Sequence, residues 1–141
     1  MREALGLIVG VAVAFAIVFL GEQAIHSLLA MPTPPAFGDK AGWTRYMASV
    51  PTGTAAALVL NWFVAAFLGG TVGRIIGRRH WIAWTVAIVV LAATVLNFVL
   101  FPHPLWMILA GLLAPLLAAW LATRTPRQDL PAVPPTADRP N

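Results

Sequence analysis

The chain has 141 residues, of which 60% are hydrophobic and 10% charged, and its mean hydropathy is +0.82. Soluble globular domains carry about 25% charged residues, so this composition excludes an ordinary water-soluble domain and a disordered chain alike. The net charge is +4, but the basic residues lie scattered beside apolar runs rather than gathered with aromatics, which argues against a nucleic-acid partner.

The sequence contains no cysteine, so disulfides, thiolate catalysis and Cys-ligated zinc or iron–sulfur centres are excluded. Four apolar runs of roughly 20 residues account for most of the chain, and each is long enough to cross a bilayer. The expected fold is all-α: a four-helix transmembrane bundle over residues 1–123, followed by a disordered, Pro-rich tail over 124–141. The pieces outside the spans are too short to build a soluble catalytic domain.

The first span is expected from about Leu5 to about Ala30. Met1-Arg2-Glu3 is only weakly basic and no small-x-small cleavage site follows the apolar run, so it reads as an uncleaved span rather than a signal peptide. Position 2 is Arg rather than Gly, and with no cysteine the sequence carries no lipidation motif. The last third of this span holds Glu22, Gln23, His26 and Ser27, and Pro32, Pro34 and Pro35 then stop it.

In the loop that follows, Trp43, Tyr46, Met47 and Val50 recur at steps of three and four. That spacing predicts a short helix with Asp39 as its N-cap, lying at the membrane interface where Trp and Tyr favour the headgroup layer. The second span is expected over 53–74, the third over 81–101 and the fourth over 105–122, with Pro115 bending it. Phe101-Pro102-His103-Pro104 forces a tight hairpin between the last two spans, with Pro104 as a first-turn residue. Lys and Arg divide seven to two. Arg2, Arg74, Arg78, Arg79, Arg124, Arg127 and Arg139 lie on one side, Lys40 and Arg45 on the other. The excess predicts both termini in the cytoplasm.

Small residues recur every fourth position on three spans: Gly6, Gly10 and Ala14; Ala65, Gly69, Gly73 and Gly77; Ala110, Ala114, Ala118 and Ala122. Such stripes let helix backbones approach closely within a bundle, or across a homodimer. Beyond the lipid bilayer and that second copy, no partner is named by the sequence, and no internal repeat suggests an inverted-repeat transporter.

The polar residues gather at the outward ends of the spans. Glu22 and His26 share one helix face, Glu22 about 12 Å below the expected end of its span. Asn61 enters its span from the same side to a similar depth, Asn97 lies within about 8 Å of it, and His103 sits in the adjoining link. A carboxylate in lipid must be protonated, paired or wetted, and His26 is its nearest partner in sequence, as an ion pair or through a shared proton. Glu22, His26, Asn61, Asn97 and His103 therefore define an outward pocket for a proton, an ion or a small polar ligand, or else glue between helices. Glu22, His26 and His103 would be the donors if a metal bound, although the second helical His of a zincin is missing. Bis-His haem ligation by His26 and His103 is a further option on paper, but nothing in the sequence requires a cofactor. No catalytic triad, phosphate loop or carboxylate cluster is present, so no catalytic residue is assigned.

Gly21-Glu22, His26, the run Met31-Pro32-Thr33-Pro34-Pro35, and Asn97 with Pro102-His103-Pro104 together resemble small four-span membrane proteins of bacteria, a group without an assigned activity. The resemblance implies the fold and a place in the bacterial inner membrane. A single membrane Glu in the first of four spans is also architecturally similar to the small multidrug resistance transporters, which would imply proton-coupled exchange by a dimer. Here Glu22 lies nearer the outer end of a longer span, the outer loop is larger, and no matching motif surrounds it.

Overall fold

The computed structural model describes residues 1–29 and 31–126. Among the described residues there are five helices: α1 (Arg2–Leu28), α2 (Lys40–Ser49), α3 (Thr52–Gly77), α4 (His80–Leu100) and α5 (Leu105–Arg124). All but α2 are long and apolar enough to cross a membrane, so the protein is an all-α, four-span membrane bundle with a short non-spanning helix between its first two spans. Leu5, Ile8, Phe15 and Phe19 of α1, Ile88, Leu96 and Val99 of α4, and Leu105, Leu109 and Leu113 of α5 are exposed on the outside of the bundle. An apolar belt of this extent would be untenable in water and is the surface that acyl chains cover.

The helices pack as a rhombus. α3 and α4 touch each other, and each also touches α1 and α5, while α1 and α5 do not meet among the described residues. The α1–α3 seam runs along small residues. A Cβ on Gly6 would lie 2.6 Å from the Gly73 carbonyl, and one on Gly69 would lie 2.6 Å from the Gly10 carbonyl. Ala14 and Ala65 are fully buried. The stripes of α1 and α3 are therefore spent on each other inside one chain, which leaves neither free as a face for a second copy.

The span ends differ modestly from expectation. α3 extends three residues past its expected end to Gly77, so Arg74 lies a turn inside the helix rather than at its last position, and it is 2% exposed. Its guanidinium donates to the Thr123 carbonyl at 3.3 Å, and to the Thr125 carbonyl and hydroxyl, each at 2.6 Å. A cation at the C-terminal end of a helix satisfies carbonyls that have no intrahelical partner and complements the macrodipole. Arg74 thus caps α5 from a neighbouring helix. Near the same end, exposed Arg79 pairs with Glu3 at 2.8 Å. α5 runs two residues beyond its expected end and stays helical through the buried Pro115. Pro104 is its N-cap rather than its first residue. The expected end of the first span at Ala30, and the tail from 127 onward, lie outside the described residues.

α2 forms where the three- and four-residue spacing predicts it. Asp39 caps it, accepting from the Gly42 amide at 2.8 Å. Its inner face, Trp43, Tyr46 and Met47, turns onto the ends of the spans. Trp43 packs on Phe101 with ring centroids 4.2 Å apart, and Met47 and Val50 pack against a cluster of Ala55, Trp62 and Met107. The helix is a cover for one end of the bundle.

Candidate functional site

Beneath α2 lies a cavity of about 230 Å³ to which every helix contributes. α1 supplies Glu22 and His26, α2 supplies Trp43, Tyr46 and Met47, α3 supplies Leu58 and Trp62, α4 supplies Asn97, α5 supplies Met107, and the last link supplies Phe101 and His103. Four of the five polar residues singled out from the sequence therefore border one space, although they come from two stretches of chain some seventy residues apart.

Asn61 is the exception. Its side-chain amide donates to the Val18 carbonyl of α1 at 3.1 Å, and it occupies the space that a Cβ on Gly21 would fill. Asn61 fastens α3 to α1 beside the cavity rather than lining it.

The partner of Glu22 is not His26. No ion pair joins them among the described residues, and the Glu22 carboxylate instead accepts from the Trp62 indole at 3.3 Å. The reason is geometric. Spacing by four makes Glu22 and His26 neighbours on one face, but the Glu22 carboxylate is turned toward α3, where the Trp62 indole reaches it. Its position was informative: it lies ten residues inside α3, about 15 Å from the helix start, too deep for an interfacial anchor. Trp62 is 4% exposed.

From Trp62 a run of ring contacts crosses the wall. Trp62 meets Phe98 edge-on at 5.8 Å, and Phe98 meets His103 edge-on at 5.0 Å. Gly111 makes room for this stack, since a Cβ there would lie 2.7 Å from Phe98 and 3.0 Å from Trp62. His103 Nδ1 is 2.8 Å from the Phe101 carbonyl oxygen. A carbonyl only accepts, so Nδ1 carries the proton, and in the neutral ring Nε2 is left as an acceptor. Burial holds the imidazole pKa below its usual 6.5 against the opposing pull of that hydrogen bond, so His103 is neutral at pH 7.

Tyr46 is 9% exposed, and its hydroxyl is buried without a hydrogen-bond partner. Burial also raises its pKa above 10.0, so the phenol stays protonated. A buried hydroxyl without a partner costs on the order of 1–3 kcal/mol.

Below the cavity a second crevice of about 160 Å³ shares Glu22, Trp62 and Asn97 with it and continues between α1 and α4 past Phe15, Val18, Val90 and Ala93. Thr94 also borders it, but its hydroxyl is spent on the Val90 carbonyl at 3.0 Å. The upper space is mixed polar and aromatic, the lower one essentially apolar, and Glu22 stands where they meet.

Among the described residues no three His, Cys, Asp or Glu side chains are placed to hold one ion, although Glu22, His26 and His103, the donors named if a metal bound, border the same cavity. Haem fits no better. At about 230 Å³ the cavity is smaller than typical drug-sized ligand sites of roughly 300–1,000 Å³, which leaves too little room for a macrocycle.

No protein family, no curated protein and no solved structure matches the chain. The likeness to small bacterial four-span proteins accordingly rests on its short motifs, and the reading of the site rests on its geometry.

Proposed function

We propose that this protein is a small-ligand receptor or carrier of the membrane, without covalent chemistry, that takes up a small polar group in the cavity beneath α2. The carrying observation is that Glu22 and His26 of the first span, and Asn97 and His103 from the third span and the link after it, border one cavity beneath the aromatic face of α2. Helix glue requires polar atoms to be paired across helices, as Asn61 is. The cavity instead leaves space between its polar groups, and one of them, the Tyr46 hydroxyl, has no partner. The excess of arginines at the opposite end supports an orientation with that end in the cytoplasm and the cavity facing outward.

A dimeric proton-coupled transporter is less well supported, because two of its three candidate contact faces are already packed together in one chain. The test uses the full chain in lipid nanodiscs, with thermal unfolding followed in sodium acetate, glycerol and tetramethylammonium chloride. At least one probe is expected to raise the unfolding temperature of the wild type, and to do so much less in Glu22→Gln and His103→Gln. If both variants only lower the baseline and respond to every probe as the wild type does, these side chains are structural and the reading fails.

A further inference from the structure

We propose that the site takes an amphiphile with an ammonium head and an alkyl chain, the head held beneath α2 and the chain lying in the crevice between α1 and α4. The inference rests on the preceding reading and names the ligand class. Three observations point to it.

The first is the chemistry of the upper space. Its walls carry Trp43, Tyr46, Trp62 and Phe101 around the Glu22 carboxylate. Aromatic faces attract cations through their ring quadrupole, and cages of such rings are the general means of holding alkylated ammonium groups. The other titratable groups facing this space are His26, His103 and the protonated Tyr46 phenol, and no Lys or Arg borders it. A cation therefore meets no fixed positive charge there, and an anion would meet Glu22.

The second is what Glu22 lacks. The Trp62 indole gives it a single hydrogen bond at 3.3 Å and no cation is paired with it. A carboxylate has about four acceptor sites, and at membrane depth it must be protonated, wetted or paired; a cation is the partner that satisfies it in the charged form. An ammonium ligand supplies one.

The third is continuity. Glu22, Trp62 and Asn97 are walls of both spaces. Phe15, which borders the lower crevice, is 46% exposed on the lipid-facing side of the bundle, and Ala93 is exposed there too. A head group seated against Glu22 can thus leave its chain in the crevice, alongside the surrounding acyl chains. A free alkylammonium compound and a membrane lipid with an ammonium head share this chemistry.

The test follows tryptophan fluorescence of the full chain in phosphatidylglycerol nanodiscs, titrated with tetramethylammonium, decyltrimethylammonium and the uncharged isostere neopentyl alcohol. Glu22→Gln removes the charge while keeping an oxygen for the Trp62 indole, and should weaken both cations by about tenfold or more. Ala93→Leu narrows the lower crevice from an exposed position. It should weaken decyltrimethylammonium by about tenfold and leave tetramethylammonium unchanged. Each comparison is between wild type and variant with the same probe, so partition into lipid cancels. If neopentyl alcohol binds as well as tetramethylammonium, or Glu22→Gln leaves both cations unaffected, the ammonium assignment is overturned, while the receptor reading survives on any other probe that depends on Glu22. If Ala93→Leu affects both cations equally or neither, the placement of the chain is overturned. Repeating the decyltrimethylammonium titration in phosphatidylcholine nanodiscs identifies the source: competition by the bilayer marks a lipid head as ligand, and unchanged affinity marks a free amphiphile, both within the proposed class.

Discussion

Gly10 to Ala is the smallest change that tests how the bundle is held together. The added Cβ would stand 2.8 Å from the Gly69 carbonyl oxygen, 3.0 Å from the Gly73 Cα and 3.0 Å from a methyl of Val86. Ordinary contact begins near 3.4 Å, so α1 and α3 must part by about 0.6 Å (3.4 less 2.8). A radial gap of 0.5–1 Å forfeits roughly a quarter to a half of each dispersion contact along the seam, and overpacking of this kind costs about 1–3 kcal/mol. Against this, Ala in place of Gly in a helix gains about 0.5–1 kcal/mol. The net expectation is a loss of about 1–2 kcal/mol. Gly53→Ala is the control. It also lies in a spanning helix, and a Cβ there meets nothing within 4 Å, so only the gain of about 0.4–1 kcal/mol remains. Reversible unfolding in bicelles, followed by tryptophan fluorescence, gives both numbers. Equal stability of the two variants would refute the claim that backbone contact along α1 and α3 holds these helices.

Two further outcomes follow from groups at opposite ends. Arg74→Met keeps the length of the side chain but leaves the α5 terminus without its cap; hydrogen bonds to charged groups are worth about 1.5–3 kcal/mol, and because the freed carbonyls can turn to water the expected loss is near the lower figure, measured by the same unfolding assay. Because burial lowers the His103 pKa, the unfolded chain takes up a proton at higher pH than the folded one. The contribution of neutral His103 is fully present above its unfolded value of about 6.5 and is lost as pH falls from there through the folded value. Stability should therefore decline on acidification below that point, with a shallower decline in His103→Gln; parallel pH profiles would show that the ring is not buried in the folded protein.

The fold was legible because its signals are redundant. Length and hydropathy mark each span, prolines close α1 and open α5, and the Asp39 cap with its aromatic periodicity marks α2 even though that helix has only 10 residues. The gathering of Glu22, His26, Asn97 and His103 was legible from depth alone, since residues at one level of a four-helix bundle have little choice but to be neighbours. Depth says nothing about rotation around the helix axis. That is why Asn61, at the right level, faces the Val18 carbonyl, and why Glu22 finds Trp62 rather than His26. The role of Arg74 in capping α5 was hidden for a related reason. An arginine near a span end reads as a marker of the cytoplasmic side, and nothing local shows that the end of α5 comes close enough to take its guanidinium.

The sizes of the side chains along α1 and α3 explain why the cavity lies at one end. Gly6 and Gly10 face Gly69, Gly73 and Gly77, where even a Cβ would collide with backbone. Further along the same pair, Ala14 gives way to Val18 and Glu22, while α3 presents Trp62 and Leu58. An indole cannot fit where a glycine does, so a pair of helices in backbone contact at one end must make room at the other. Close packing would normally fill such a wedge with apolar side chains. Here part of it is left open, and the groups facing the opening are a carboxylate, two imidazoles, an amide and a phenol. A sequence under pressure only for stability would place leucines there, since leaving polar groups at this depth unsatisfied costs free energy that apolar packing does not. The glycine seam and the polar opening thus lie at different levels of the same pair of helices.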